Sequence, residues 1–233
     1  SGDVALVTGA GSGLGRRFAE VLAAAGAEVT VAGRRPEKLG ETAESIRRAG
    51  GAVRTVGLDV RDPDAIAAVI GSLDAEGVLP TVLVNNAGIP DAKRAHRMPL
   101  ELVDAVLETN LRGPWLLATE IARRWIDREV RGRIVNLGSM SGHHYAGEGA
   151  ALYAVTKAAV HRMTEVLAVE WARYGINVNA IAPGAFSSEM MDGMIERVGD
   201  LSADFPRRRL GDPAFLDTTL LYLVSPASEA VTG

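Results

Sequence analysis

The chain has 233 residues, 47% of them hydrophobic, and carries a formal net charge of −4. This charge excludes the basic surface typical of nucleic-acid-binding proteins, and the absence of cysteine excludes disulfides, thiolate metal sites and a cysteine nucleophile. No apolar run approaches the roughly 18 residues of a membrane-spanning helix. The N-terminus has no basic segment ahead of an apolar one, so we expect neither a membrane partner nor a signal peptide. The lack of cysteine also fits a reducing compartment, and we expect a cytoplasmic location.

The first half of the chain alternates short apolar segments with longer amphipathic ones. The short segments predict strands at 4–7, 29–32, 53–57 and 81–84. The amphipathic segments predict helices at 14–25, at 37–49 and from Asp62 onward. Gly26 is a natural end for the first helix, and Asp62 is an N-cap residue followed by proline.

The second half predicts a long helix, a strand, a second long helix, a strand and a final helix, at 100–126, 133–137, 152–174, 176–180 and 214–224. Alternation of strands and helices implies βαβ units and a parallel sheet. Most strands are apolar on both faces, so helices should cover both. The pattern therefore predicts an α/β protein with a Rossmann-like doubly wound parallel sheet in three layers, α/β/α. We expect a single domain over 1–233, with the cofactor site in its N-terminal half and the catalytic and substrate site in its C-terminal half.

A glycine-rich turn, Thr-Gly-Ala-Gly-Ser-Gly-Leu-Gly at 8–15, lies between the first strand and the first helix. The strict G-x-G-x-x-G spacing is not met, because Leu14 stands where the third glycine should come. Residues without Cβ still let the backbone approach a pyrophosphate, which binds the N-terminal amides of the helix. The turn therefore predicts a dinucleotide site.

The end of the second strand indicates which dinucleotide binds. An acidic residue there would hold the ribose 2′-hydroxyl of NAD, but the chain has Gly33, Arg34 and Arg35. Two guanidinium groups without a carboxylate favour a 2′-phosphate. We expect NADP(H) to be preferred, with NAD(H) as the alternative. Arg34 is the main candidate contact, whereas a surface charge equally explains Arg35.

Tyr153 and Lys157 stand four residues apart at the start of the second long helix. Positions i and i+4 share a helix face, so we expect the ammonium to lower the pKa of the phenol toward the working pH. Ser139 follows the fifth strand, and a glycine-rich loop can return it to this helix. Ser141 competes as the catalytic serine, but Ser139 lies closer to the strand end, where ligands of parallel sheets bind.

Further motifs occur in a fixed order: Asp59 with Val60, Asn85 to Gly88, Asn110, and Pro183 with Gly184. Together with the glycine turn, Ser139 and the tyrosine–lysine pair, they resemble the single-domain branch of the short-chain dehydrogenase/reductase family over nearly the whole chain. Relatives continue past the position of Gly233 into a last strand, which leaves the sheet edge and part of any subunit interface open.

The resemblance implies catalytic roles for four residues. Tyr153 would be the general acid in carbonyl reduction and the base in alcohol oxidation, and Ser139 would orient the substrate oxygen. Lys157 would bind the nicotinamide ribose and lower the Tyr153 pKa, and Asn110 would hold a water of the proton relay. Asp59 and Val60 would contact the adenine. The full set of expected cofactor contacts is Gly9, Ser12, Gly13, Leu14, Gly15, Arg34, Asp59, Val60, Asn86, Ala87, Gly88, Tyr153, Lys157, Pro183, Gly184 and Ser188.

Two segments near the predicted catalytic residues are candidates for lining the substrate. Their residues are His143, His144, Glu148, Phe186 and Met190. The two histidines suggest a metal, but no third histidine follows at ligand spacing, so we expect none. Ser188 stands where the family usually has threonine, and both carry a hydroxyl.

The favoured function is NADP(H)-dependent interconversion of a small-molecule carbonyl and a secondary alcohol. One alternative is a 3-oxoacyl-ACP or 3-oxoacyl-CoA reductase of fatty-acid or polyketide metabolism, with Arg128, Arg131 and Arg173 as candidate docking residues. A second alternative is a non-catalytic NADP-binding protein. A sugar epimerase or dehydratase of the longer-chain branch would need an extra C-terminal substrate domain. Broad apolar faces on both long helices suggest a homo-oligomer, for which the resemblance implies a tetramer, with a dimer as the alternative.

Overall fold

The computed structural model describes residues 2–145, 147, 149–199, 202 and 205–233. Within these residues the strands are β1 (Val4–Thr8), β2 (Glu28–Gly33), β3 (Val53–Gly57), β4 (Val82–Asn85), β5 (Arg133–Leu137) and β6 (Asn177–Ile181). All of their pairings are parallel, and their order across the sheet is β3-β2-β1-β4-β5-β6. This arrangement confirms the predicted doubly wound parallel sheet.

Helices connect the strands and cover the sheet. They are α1 (Gly13–Ala24), α2 (Pro36–Arg48), α3 (Pro63–Ala75), α4 (Leu100–Leu107), α5 (Gly113–Asp127), α6 (Ala151–Trp171), α7 (Glu189–Val198) and α8 (Asp217–Val224). The Asp62 carboxylate caps α3 by accepting from the amides of Asp64 and Ala65, as its sequence predicts. No helix in the described ranges combines the length and the apolar character needed to cross a membrane.

Alternate residues of each central strand enter different halves of the core. On β1, Val7 joins a cluster with Phe18 of α1 and Leu220 of α8. Its neighbour Leu6 points to the other face and joins a cluster with Trp125 of α5. Because successive side chains of a strand point to opposite faces, the apolar strands require helices on both sides. The three-layer α/β/α prediction is therefore confirmed.

The structure differs from the predicted elements in three places. The long helix predicted at 100–126 is divided into α4 and α5 by a π-helical turn, Glu108–Arg112. The helix predicted at 214–224 begins with a 3₁₀ segment, Pro213–Leu216, before α8. Helix α7 has no counterpart among the predicted elements. The other boundaries lie within three residues of the prediction, and β3 and β5 have the predicted bounds.

Strand register brings the predicted site segments to one edge of the sheet. Thr8, at the end of β1, is paired with Ala32 near the end of β2. On the other side, Asn85 is paired with Asn136 and Leu137 with Ile181. The segments that follow these strands therefore meet at the carboxyl edge, where open α/β sheets bind ligands.

Candidate active site

The glycine turn packs directly against the segment that follows β4. Gly9 has φ +64°, and a Cβ on it would lie 2.9 Å from the Ala87 Cα. A Cβ on Gly15 would overlap the Asn86 side chain and the Gly9 carbonyl. Only glycine permits this approach, which leaves the backbone open on the ligand side.

Thr8 and Asn86 hold the turn in place. The Thr8 hydroxyl accepts from the amides of Asn86 and Ala87, each at 3.1 Å. The Asn86 side-chain amide donates to the carbonyls of Thr8 at 3.0 Å and Gly9 at 3.2 Å. Asn86 and Ala87 thus hold the turn in place, in addition to being expected cofactor contacts.

The N-terminus of α1 opens onto the same edge. Its N-cap residue, Ser12, is extended and makes no side-chain capping bond, and the first turn contains no acidic residue. A helix N-terminus without its own anion is a ready phosphate site, because free amides and the helix dipole both favour negative charge. Gly13, Leu14 and Gly15 begin the helix here, as the predicted pyrophosphate site requires.

Arg35, rather than Arg34, reaches the glycine turn. Its guanidinium donates to the Ser12 hydroxyl at 3.1 Å and to a Glu189 carboxylate oxygen at 2.8 Å. The Ser12 hydroxyl also donates to Glu189, at 3.1 Å. Arg34 is exposed, and its charge contributes to lowering the pKa of Asp59. The two arginines therefore flank the region where a 2′-phosphate is expected. Arg35 is more than an ordinary surface charge, because it binds both the glycine turn and α7.

Asp59 is paired with Arg61. The carboxylate lies 2.6 Å from the Arg61 guanidinium and accepts its backbone amide at 3.0 Å. Hydrogen bonding from the Arg61 side chain is the main reason that the pKa of Asp59 is lowered. Neighbouring Val60 is buried against Gly113, where a Cβ would meet the Val60 carbonyl at 2.7 Å. The predicted adenine contacts are thus fixed at the end of the segment that follows β3.

Lys157 is buried, with 5% of its surface exposed. Its ammonium donates to the Leu137 carbonyl at 2.6 Å and lies 5.5 Å from the centre of the Tyr153 ring. Burial lowers its pKa from 10.5 to about 8, because desolvation penalises the charged form. The lysine therefore links the end of β5 to the face of α6 that carries the tyrosine.

The expectation that Lys157 lowers the Tyr153 pKa is wrong for this structure, in which the pKa of Tyr153 is raised. Burial of the phenol is the largest cause. A hydrogen bond with Ser139 opposes it, and the negative charge of Asp91 adds to it. Sequence spacing placed the ammonium on the correct face, but the desolvation of the phenol dominates its titration.

Ser139 is the serine that faces the phenol. It begins the short 3₁₀ segment Met140–Gly142, and its hydroxyl accepts the Ser141 amide at 3.1 Å. The same hydroxyl group lies in hydrogen-bonding contact with Tyr153, which lowers the tyrosine pKa. Ser141 thus contributes its amide to Ser139, which favours Ser139 as the catalytic serine.

Asn110 lies in the π-helical turn and is almost completely buried. Its side-chain oxygen accepts the Ile89 amide at 2.8 Å, and its side-chain nitrogen donates to the Ile89 carbonyl at 2.9 Å. A Cβ on Gly88 would lie 3.4 Å from the Asn110 Oδ1 and 3.8 Å from the Lys157 Nζ. Gly88 therefore sits between these two side chains, and π-helical turns of this kind are frequent at functional sites.

Asp91 is a site residue that sequence reasoning missed. It is 1% exposed, and its Oδ2 accepts the amides of Leu152 at 2.8 Å and Tyr153 at 3.1 Å. It thereby caps α6, whose own N-cap residue, Ala150, has no side-chain acceptor. No motif marked this aspartate, because its partner amides are about sixty positions away in the sequence.

The predicted substrate-lining residues do not form one continuous surface. His143 and His144 are exposed, and His143 stacks on His161 of α6 at a centroid distance of 4.3 Å. The Phe186 ring packs over Gly211, whereas Met190 is exposed on α7. Glu148 lies outside the described residues. The described part of the chain contains no group of three or more potential metal-ligating side chains.

The segment after β6 lies against both halves of the site. The Pro183 carbonyl accepts the Met140 amide at 2.9 Å, beside Ser139. Ser188 caps α7 through the Met191 amide at 3.2 Å, and its Cβ would meet a Cβ on Gly13 at 3.3 Å. The segment that carries Pro183 and Ser188 thus lies between the Ser139 loop and the glycine turn.

Comparisons with known proteins agree with this site. A family model described as short chain dehydrogenase matches residues 3–198. The chain is 39% identical over 241 residues to galactitol 2-dehydrogenase (L-tagatose-forming) of Cereibacter sphaeroides, covering 100% of this chain and 91% of that protein. It is 36% identical over 234 residues to 3-oxoacyl-(acyl-carrier-protein) reductase FabG of Vibrio cholerae, covering 100% and 93%. A crystal structure of an actinorhodin polyketide ketoreductase variant with NADPH has a TM-score of 0.94 at 33% identity, covering 99% and 93%.

A doubly wound sheet with a glycine turn at its carboxyl edge is typical of dinucleotide-binding proteins, among them the nicotinamide-dependent oxidoreductases. Within that class the chain belongs to the short-chain dehydrogenase/reductase family. Its relatives are dehydrogenases and reductases, so the protein is an NAD(P)-dependent oxidoreductase. The alternative of a non-catalytic NADP-binding protein is set aside on this ground.

Proposed function

We propose that this protein interconverts a small-molecule carbonyl and a secondary alcohol with NADP(H), and that Tyr153 is its general acid and base. The observation that carries the proposal is the gathering of Ser139, Tyr153 and Lys157 at the carboxyl edge, beside a glycine turn that leaves room for a dinucleotide. We also propose that 1–233 acts as one structural unit, whose N-terminal half binds the cofactor and whose C-terminal half selects the substrate.

The glycine turn supports a nicotinamide dinucleotide as the cofactor. Side chains at Gly9 or Gly15 would fill the space against the segment after β4, and the N-terminus of α1 offers amides without a competing carboxylate in its first turn. When bound, the nicotinamide supplies or accepts the hydride. The substrate carbon would face it from the side of Ser139 and Tyr153.

The proton chemistry follows from the environment of Tyr153. Its raised pKa keeps the phenol protonated at neutral pH, which suits proton donation to the oxygen of a carbonyl undergoing reduction. Ser139 contacts the same phenol and would hold the substrate oxygen within reach of it. Lys157, still largely charged at neutral pH because its pKa is about 8, would stabilise negative charge on the phenol as the proton leaves.

Replacement of the phenolic hydroxyl tests the role of Tyr153. In Tyr153→Phe, kcat for carbonyl reduction should fall by about 10²-fold or more, as expected for loss of a general acid. NADPH binding, followed by the fluorescence of the reduced nicotinamide, should stay close to that of the wild type. A variant that reduces its carbonyl at the wild-type rate would refute the assignment.

The preference for NADP(H) rests on the two guanidinium groups after β2. A panel of carbonyls and alcohols, assayed at the nicotinamide absorbance with both cofactors, would measure it. We expect a higher kcat/KM for NADPH than for NADH. Arg34→Ala and Arg35→Ala should each reduce the preference, measured as kcat/KM for NADPH divided by kcat/KM for NADH. More efficient turnover of NADH by the wild type would overturn the preference.

A 3-oxoacyl thioester is the second candidate substrate, because one relative is a 3-oxoacyl-acyl-carrier-protein reductase. The predicted docking arginines give it little support. Arg128 is paired with Asp74 at 2.9 Å, Arg131 is paired with Glu229 at 2.6 Å, and Arg173 lies on the ring of Tyr174. Thioester activity that is lost in Arg131→Glu, with cofactor binding intact, would support this candidate.

We further propose that two copies associate through α5 and α6. Leu107, Leu111, Trp115 and Met163 line an apolar groove between these helices and the end of α4. Trp115 is 43% exposed and Val169 on α6 is 81% exposed, and exposed apolar surface of this extent favours an interface. A second copy of the chain would cover it.

A further inference from the structure

His161 lies one helical turn after Lys157 on α6 and faces the loop that carries Ser139. Its ring occupies the space that Cβ atoms on two loop glycines would need. A Cβ on Gly138 would overlap the ring, and one on Gly142 would lie 2.8 Å from its Cε1. The loop therefore closes onto this ring at two points, on either side of Ser139.

A hydrogen bond joins the ring to the catalytic serine. The Ser139 amide donates to the His161 Nε2 at 3.3 Å. An imidazole nitrogen accepts only when it carries no proton, so the ring proton must be on Nδ1 and the ring must be neutral. Nδ1 is buried and has no hydrogen-bond partner among the described residues. A buried polar group without a partner destabilises a fold, so stability alone does not account for histidine here.

We propose that His161 is a positioning residue, a neutral imidazole that holds the backbone of Ser139 and so directs the serine hydroxyl toward Tyr153 and the substrate oxygen. This inference rests on the function proposed above. His161 acts through Ser139 and not on the substrate. Its outer face is covered by the ring of His143, which stacks on it at 4.3 Å with 22° between the ring planes.

The surroundings of His161 lower its pKa and keep the ring neutral near pH 7. Burial is the main cause of its lowered pKa, followed by the nearby His143 and Lys157, whereas Glu165 opposes them. Protonation at lower pH would place an N–H of the ring against the Ser139 N–H, so the two donors would repel and the loop would shift. The position of Ser139, and with it kcat, should therefore be lost as the pH falls through the pKa of His161.

Two substitutions separate this role from ordinary packing. His161→Leu removes the acceptor but keeps an apolar side chain, and His161→Gln keeps an acceptor that does not titrate. His96→Gln, at an exposed histidine of the 3₁₀ segment Ala95–Arg97, is the matched control. For each protein kcat and KM are measured from about pH 5 to about pH 8, together with the melting temperature and NADPH affinity.

We expect His161→Leu to lose about tenfold or more in kcat, with its melting temperature and NADPH affinity close to those of the wild type. His161→Gln should recover most of that loss near pH 7.5, and its kcat should no longer fall at acid pH in the range where the wild-type kcat does. Wild-type kcat in the Leu variant, or an unchanged acid decline in the Gln variant, would overturn the inference.

Tyr153→Phe in the same assay distinguishes the two proposals. If it is inactive while His161→Leu is fully active, the positioning role fails and the proposed function stands. If Tyr153→Phe keeps wild-type activity, the proposed function itself fails.

Discussion

Burial acts on Tyr153 and Lys157 in opposite directions, because it disfavours the charged form of each. It raises the pKa of the phenol and lowers that of the ammonium to about 8. Near pH 7 the tyrosine is therefore a protonated donor, and the lysine keeps its charge in surroundings that penalise it. Near pH 7 the buried charge of Lys157 is thus costly to the fold, whereas the neutral phenol of Tyr153 is not.

That cost predicts a stability gain from a substitution that removes activity. Lys157→Met should raise the free energy of unfolding near pH 7 by about 1–2 kcal/mol. The change in pKa from 10.5 to about 8 corresponds to roughly 3 kcal/mol, and loss of the bond to the Leu137 carbonyl offsets about 1 kcal/mol of it.

The sign of the pH dependence makes this prediction specific. Between about pH 8 and about pH 10.5 the unfolded chain retains a proton that the folded protein has released, so wild-type stability rises with pH. The advantage of Lys157→Met should therefore shrink over that range. Urea unfolding of both proteins near pH 7 and near pH 9.5 measures it, with Lys93→Met at an exposed lysine as the baseline. An equal advantage at both pH values would contradict the prediction.

Asp91 offers a second test at single-residue resolution. Asp91→Asn keeps an oxygen for the amides of Leu152 and Tyr153 but removes the charge that raises the tyrosine pKa. The alkaline decline of kcat/KM for carbonyl reduction should therefore begin at lower pH than in the wild type. Asp91→Ala should also lose the cap, at a cost of about 1 kcal/mol in stability. Asp104→Asn, at an exposed acid of α4, is the control, and an identical profile in Asp91→Asn would count against the mechanism.

The sequence indicated the candidate catalytic residues more clearly than their surroundings. Ser139, Tyr153 and Lys157 carry recognisable spacing, and the structure brings them together as expected. Asp91 and His161 carry no motif, because each acts on a backbone amide that is distant in the sequence. The tyrosine pKa was predicted in the wrong direction because spacing reports proximity to a charge but not desolvation.

At the level of elements, helix α7 was given no bounds by the sequence. Its first residue, Glu189, binds Ser12 and Arg35, so polar contacts hold the start of α7 against the glycine turn. The π-helical turn that positions Asn110 was equally hidden, since one extra residue in a turn barely changes an amphipathic pattern. Strand positions were predicted well because each central strand is a short, continuously apolar segment.

The contact between Glu189 and Arg35 predicts a competition for the same guanidinium. Glu189→Gln should release Arg35 toward a 2′-phosphate and tighten NADPH binding up to about fivefold, the range expected for an exposed ion pair. NADH binding should be nearly unchanged, because NADH has no 2′-phosphate. Titration with both cofactors measures the difference, and Glu196→Gln, exposed on the same helix, is the control. Equal tightening for both cofactors would show that Arg35 does not read the phosphate.

At the scale of the whole molecule, the doubly wound parallel sheet and its three layers were predicted correctly, because apolar strands alternating with amphipathic helices allow few topologies. The surface is harder to predict, since the same helices carry both a core face and an exposed apolar face. Leu167 and Trp171 of α6 are buried against the sheet, whereas Val166 and Val169 on the same helix are exposed. Only the fold separates these two sets.

The exposed apolar surface of α5 and α6, which includes Trp115, leads to a prediction about the oligomeric state. Trp115→Glu places a charge in the apolar groove and should convert the protein to a smaller species in light scattering coupled to size-exclusion chromatography. Its melting temperature should depend less on protein concentration than that of the wild type. Arg48→Glu, at an exposed residue at the end of α2, should leave the mass unchanged. A wild-type mass for Trp115→Glu would place any interface elsewhere.

The strand order has a consequence for how this protein could diversify. The turn after β1 and the loops after β5 and β6 meet in space, yet they lie in separate parts of the sequence. Loop exchange between relatives could therefore transplant substrate choice onto an unchanged nucleotide half. In such a chimera, the contact of Ser12, Arg35 and Glu189 would join the exchanged loop to the retained glycine turn. A graft that omits Glu189 would change cofactor affinity as well as substrate choice, so the two properties are not fully independent.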